Sequence, residues 1–210
     1  MDYGLKKLIS TSYAPDSKPA DIPYQLTLFE KEAPQFDAKK TRSNGKKFVL
    51  EAKDINSDGV VNIEDLQWEY LDGGGDFRGD EVSALRDEAD IVITNPPFSM
   101  FREFVAWLVA GEVKFSIIGS RSSLTYKEVF PLVRDGKVWI GKGFAKGDAY
   151  FRVPESSKND YAAGVYDPET QLVHFRNATW FTNIDHGRRH EPLQLMTMAD
   201  NKKHSKHKEV

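Results

Sequence analysis

No cysteine occurs among the 210 residues. Disulfides, thiol nucleophiles and cysteine-ligated zinc or iron–sulfur centres are thereby excluded, and the composition suits a reducing compartment. The chain also lacks any run of about eighteen apolar residues and any apolar leader at its amino terminus. The expectation is a cytoplasmic protein with no membrane-spanning helix. Internal repeats are missing as well. So is a strong charge of one sign: the formal net charge is −3, which gives no overall attraction to nucleic acid. The charge is uneven, however. Residues 51–90 carry thirteen Asp or Glu against three Lys or Arg, so the remainder of the chain is net positive and any DNA-facing surface belongs outside that block. A chain of this length can hold one sizeable core, or one core with an appendage.

What is present is organised around Ala89-Asp90-Ile91-Val92-Ile93-Thr94-Asn95-Pro96-Pro97-Phe98. Ile91 to Ile93 form a short β-branched run between an acidic approach and a double proline, which reads as a buried strand. The prolines stop it, because neither can donate to a ladder and Pro97 drives Pro96 away from helical angles. Apolar residues at helical spacing follow from Phe98 to Val109, with Ser99 placed to cap a helix at 99–110. An Asn and an aromatic therefore sit on a rigid bend at the carboxyl end of a strand, where open α/β sheets bind their ligands.

Ahead of this stretch, Leu5–Tyr13 reads as a strand entering a loop, residues 14–46 as a polar excursion with a short strand at Tyr24–Phe29, and Lys47–Ala52 as another strand. Asp54, Asn56, Asp58, Gly59, Asn62 and Asp65 then follow the spacing of a calcium loop, with oxygen ligands at positions one, three and five, Gly at six and a carboxylate at twelve. The segment upstream reads as a strand instead of an entering helix. A structural turn capping a helix at Ile63–Leu71 would carry the same pattern, so both readings stand. Asp72–Arg78 is an acidic, Gly-rich loop without the spacing of a phosphate cradle, and Glu81–Glu88 a short helix. Beyond the central stretch, Lys114–Gly119 is a buried strand and Thr125–Val133 a helix, which completes a βαβ crossover and calls for parallel strands. From Lys137 helical periodicity fades. Val138–Gly141, Ala149–Val153 and Leu172–Ile184 are strand-like with turns between them, an antiparallel continuation or recognition lobe over 137–200, and 201–210 reads as a disordered tail.

Asn95-Pro96-Pro97-Phe98 resembles the catalytic loop of amino-methyltransferases acting on exocyclic nitrogens in DNA. The chain from Leu5 to Glu191 resembles the bacterial and phage adenine-specific DNA methyltransferases of the EcoRI modification-methylase type. The loop Gly75-Asp76-Phe77-Arg78, the strand before Gly119, the segment Thr125–Pro131 and Trp180-Phe181-Thr182-Asn183 carry the rest of the likeness. The resemblance implies an α/β, Rossmann-like S-adenosylmethionine-dependent sheet over 1–136 with an antiparallel C-terminal portion. It implies Asn95, Pro96, Pro97 and Phe98 as catalytic residues, Asp76 and Phe77, with Tyr13, at the cofactor, and double-stranded DNA as partner. Trp180 or Phe181 would wall the base pocket, or else both are core residues of a C-terminal sheet.

In that family a first strand and its cofactor loop precede the segment that starts here at Leu5. The implied sheet is therefore incomplete, which suggests a truncated enzyme, one completed by a second chain, or a catalytically impaired DNA-binding or protein-interaction module. Cytosine N4 or a protein glutamine would use nearly the same loop. Lys142, Lys146, Arg152, Arg176, Arg188 and Arg189 are candidates for phosphate contacts, whereas His186 and His190 lack the neighbours of a metal site.

Overall fold

The computed structural model describes residues 4–14, 16, 33–141, 149–153, 164–175, 177–190 and 197–204. The expected strand at Tyr24–Phe29, together with Lys142, Lys146, Arg176 and residues 205–210, lies outside them. The first sheet is an antiparallel meander of β1 (Lys7–Ser12), β2 (Lys46–Glu51) and β3 (Gln67–Tyr70), in that order, with Ile9 opposite Val49 and Phe48 opposite Trp68. A single helical turn, α1 (Lys40–Ser43), precedes β2. Gln67-Trp68-Glu69-Tyr70 alternates polar and aromatic residues, and only Trp68 is buried. That period of two is why the expected helix over Ile63–Leu71 is instead a 3-10 turn at Ile63–Asp65 followed by a strand.

The second sheet carries the central stretch. Helix α2 (Asp80–Glu88) leads into β4 (Ile91–Thr94), α3 (Phe101–Ala110) crosses over, and β5 (Lys114–Ser120) returns parallel to β4, with Thr94 opposite Ile117. Short α4 (Phe130–Arg134) and β6 (Trp139–Ile140) follow. Residues 125–129, expected within a helix, form the end of a 3-10 turn and a link into α4. β10 (Ala178–Thr182) pairs antiparallel with β5 and then with β6, so the sheet order is β4-β5-β10-β6. This mixed α/β sheet is consistent with a Rossmann-like methyltransferase core. The remaining strands, β7 (Ala149–Arg152), β8 (Tyr166–Asp167) and β9 (Leu172–Phe175), form a separate antiparallel sheet. Residues 201–204, expected in an unstructured tail, belong to helix α5 (Met198–His204), whose amino end is closed by reciprocal bonds between Thr197 and Asp200.

The core lies between α3 and one face of the second sheet. Phe101, Phe104, Val105 and Leu108 recur at helical spacing and are buried, packing with Phe115, Ile117 and Phe181. Gly119 is required by this packing: a Cβ there would stand 2.3 Å from a ring carbon of Phe101. The opposite face of β4 is bare. Ile91 is 46 % exposed and Ile93 69 % exposed, although parallel strands are ordinarily covered on both sides. β4 ends its sheet and β1 ends the other. The two are linked through α2 and its flanking loop: Lys7 pairs with Glu88 at 2.5 Å, and the Ala14 amide donates to the Gly74 carbonyl at 2.8 Å. No helix among the described residues is long and apolar enough to cross a membrane.

Candidate functional site

The bend after β4 is fixed from beneath. Pro96 is buried, Pro97 is extended at φ −62° and ψ 123°, and its carbonyl accepts from the Met100 amide at 3.0 Å, closing a 3-10 turn that runs straight into α3. Ser99 makes no capping bond at either helical start, contrary to the sequence expectation, because this turn already supplies the entry to α3. Phe101 anchors the turn against Phe181 with ring centroids 5.0 Å apart at 61°. Above this footing Asn95 and Phe98 both face solvent, and the Phe98 side chain is 48 % exposed. Among the described residues the Asn95 amide has no hydrogen-bond partner. The bend thus presents one free amide and one free aromatic face on a rigid support.

The loop ahead of α2 is built differently. Gly75 takes φ +83°, and a Cβ on it would lie 2.6 Å from the Ser12 carbonyl oxygen, so the loop can press against the end of β1 only with glycine there. This contact brings Tyr13 to Asp76. The Asp76 carboxylate is gripped by Arg78, with Nη2 at 2.6 Å and Nε at 3.0 Å, and interacts with the Tyr13 hydroxyl. The hydrogen bond from Arg78 holds the Asp76 carboxyl well below the usual carboxylate range, while burial and the bond to Asp76 push the Tyr13 phenol up to about 12. Arg78 also reaches Glu103 of α3 at 3.3 Å, which ties this loop to the helix that follows Asn95. Phe77 points the other way. It is buried, with its ring 4.9 Å from Phe104 and 5.6 Å from Trp107, so it offers no free face to a ligand.

Phe181 is wholly buried against Phe101, and Trp180 is half-buried on β10. A polar group that no local pattern reveals lies at the carboxyl end of β5. The Asn177 amide donates to the hydroxyls of Ser120 and Ser122, both at 2.9 Å, and the Arg121 amide donates to the Asn177 carbonyl at 2.7 Å. β4 and β5 run parallel, so this group and the Asn95 bend share one end of the sheet.

The Asp54–Asp65 loop is internally satisfied. Asp54 accepts from the amides of Ser57, Asp58 and Gly59, and Asp65 from those of Ile55, Asn56 and Asn62. Among the described residues no cluster of three His, Asp or Glu side chains could hold a metal ion, and the geometry is that of a structural turn joining β2 to β3. His190 pairs with Asp185 at 2.7 Å and His186 contacts the Ile140 carbonyl. Arg189 lies 3.7 Å over the Trp139 ring, and Arg152 is exposed on β7.

The comparisons decide the family. A family model described as "adenine-specific methyltransferase EcoRI" matches residues 1–210. The chain belongs to the EcoRI adenine-specific methyltransferase family. It is 34 % identical over 193 residues to the type II methyltransferase M.EcoRI of Escherichia coli, covering 91 % of this chain and 53 % of that protein. A type II methyltransferase of Mycoplasma genitalium is 32 % identical over 123 residues, covering 54 % of this chain and 37 % of its own length. The type II methyltransferase M.MpnI of Mycoplasma pneumoniae is 30 % identical over 154 residues, covering 69 % and 44 %. The chain thus spans about half, or less, of the length of these relatives. No solved structure matches.

Proposed function

We propose that this chain carries the methyl-accepting half of a site that transfers a methyl group from S-adenosylmethionine to adenine N6 in double-stranded DNA. The observation that carries the reading is the unpartnered Asn95 amide beside the exposed Phe98 ring, on a bend held by buried Pro96. An exocyclic amine is a poor nucleophile because its lone pair is delocalised into the ring. The Asn95 side-chain carbonyl and the Pro96 backbone carbonyl offer two acceptors for its hydrogens and hold the nitrogen in one orientation, which is catalysis by positioning and electrostatic stabilisation. Phe98 offers a face for the base once it has left the stack. On gaining the methyl group the amine nitrogen would shed one proton, guided by its hydrogen bonds to the Asn95 and Pro96 carbonyls and released to solvent. Trp180 and Arg152 stand as further base and phosphate contacts.

The donor's half fits less completely. S-adenosylmethionine supplies an electrophilic methyl when bound, and Asp76 and Tyr13 are the residues that would hold its adenosine portion, with Asp76 as an acceptor already oriented by Arg78. The buried ring of Phe77 contributes no stacking there. A further segment or a second chain could pair with the free edge of β4 and pack over its exposed face, covering Ile91 and Ile93 and enclosing the cofactor. Within this reading the protein acts in the cytoplasm as the modification member of a restriction-modification pair.

The bare face of β4 favours a second reading, a catalytically impaired module that binds DNA or another protein. Calorimetric titration of the chain with S-adenosylmethionine separates the two: saturable binding that weakens in Asp76→Ala supports the enzyme, and its absence, alone and with cell extract, supports the module.

A further inference from the structure

Among the described residues Arg42, Arg78, Arg86, Arg134 and Arg189 each have a carboxylate within ion-pair distance. Among the same residues exposed Arg152 on β7 has none, and neither has Arg102. Its guanidinium instead lies 5.3 Å over the ring of Tyr126, and its side chain is exposed in the first turn of α3, one helical turn beyond Phe98. A cation at the amino end of a helix opposes the helix dipole, so within its own helix an arginine is disfavoured there. Positions that break a local rule are where function is to be sought.

The platform under Arg102 is rigid. The Tyr126 amide donates to the Ser123 carbonyl at 3.1 Å, its own carbonyl accepts from Val129 and Phe130, and its ring packs on the core. A cation–π contact restrains a guanidinium while leaving its N–H groups available, an arrangement suited to a phosphate. Ser122, one residue before Ser123, is joined through Asn177 to Ser120, and neutral hydroxyl and amide groups commonly accompany arginine on a DNA backbone.

We infer that Arg102, held over the Tyr126 ring beside the Asn95–Phe98 bend, binds a DNA phosphate flanking the nucleotide presented to Asn95. The inference rests on the proposed DNA substrate and deepens it: Arg102 positions the strand, and Asn95 acts on the base.

The test is the salt dependence of duplex binding by the full chain, followed by fluorescence anisotropy, for the wild type, Arg102→Ala, Arg102→Lys and, as control, Arg134→Ala on α4. Loss of one phosphate contact should reduce the slope of log affinity against log salt by about 0.9 and weaken binding about tenfold near 0.1 M salt. Arg102→Lys should keep the slope and lose part of the affinity, and Arg134→Ala should match the wild type. A wild-type slope in Arg102→Ala, or an equal change in Arg134→Ala, overturns the inference while leaving the DNA reading in place. A lowered thermal midpoint in Arg102→Ala with an unchanged slope overturns it too, because the stack would then be a clamp between two loops. If the wild-type chain binds no duplex at any salt, the DNA reading fails and takes this inference with it.

Discussion

Two loops on either side of α2 and β4 carry the polar groups of the site, and they differ in what those groups are bonded to. The bend at Asn95–Phe98 is rigid through its buried Pro96 and its footing on Phe101, yet leaves its amide and its aromatic ring open. The loop at Gly73–Arg78 is rigid because its polar groups are bonded to one another: Asp76 is held by Arg78 and Tyr13, and Arg78 by Glu103. The first has hydrogen-bonding capacity ready for a substrate at no cost of rearrangement. The second can receive a ligand only by sharing or displacing bonds it already makes. An acceptor pocket that is prepared and a donor pocket that is closed on itself would give a protein whose affinity for its methyl donor lags behind its fitness for the base.

The largest expected effect is at the open loop. Asn95→Ala should lower the methyl-transfer rate about 100- to 1000-fold, roughly 3–4 kcal/mol of lost transition-state stabilisation. Its thermal unfolding should stay within about 0.5 kcal/mol of the wild type, as befits an exposed side chain without partners. A comparable loss of stability would place Asn95 in the structure instead of the chemistry.

At the closed loop, Gly75→Ala should cost about 1–3 kcal/mol in denaturant unfolding, since the added methyl meets the Ser12 carbonyl and the backbone is left-handed. Titration probes the same loop more gently. Asp76 has its folded-state pKa lowered, so its contribution is present above the ordinary carboxylate pKa of about 4 and lost as pH falls below it. Arg78→Met should therefore raise the pH at which the chain unfolds in acid. Tyr13 has its pKa raised to about 12, so its contribution is present below about 10 and lost as pH rises from there toward 12. Difference absorbance should show one phenol ionising late, and Tyr13→Phe should abolish that step. The smallest effect belongs to Ile93. With 69 % of it exposed, Ile93→Ser should change the stability of the chain by less than about 0.5 kcal/mol. A clearly larger loss on adding a completing segment or partner would show that β4 is covered in the working protein.

The Asn95–Phe98 bend was legible in the sequence because it is local. Asp90 to Phe98 is contiguous, two prolines punctuate it, and the apolar period of α3 begins at once, so strand, bend and helix could all be read from one window. The helix expected at Ile63–Leu71 failed because the alternation of Gln67 to Tyr70 is a strand period, confirmed only when β3 finds β2. The segment Asp72–Arg78 was read correctly as a loop, but the grip of Arg78 on Asp76 depends on a turn no spacing rule describes. The Ser120–Ser122–Asn177 group was invisible for a plainer reason: Asn177 lies 57 residues from Ser120 and arrives through the antiparallel return of β10. The role of Phe181 was undecidable from sequence, because the faces of β10 are assigned only by its register on β5.

The central claim is that the open loop accepts a methyl group on adenine. Its most direct test is to incubate the chain, alone and with cell extract, with methyl-labelled S-adenosylmethionine and duplex DNA from a methylation-deficient source, then to identify the labelled base. The account predicts label on adenine N6 that is lost in Asn95→Ala. Label on another base, label that survives Asn95→Ala, or no label under either condition would contradict it.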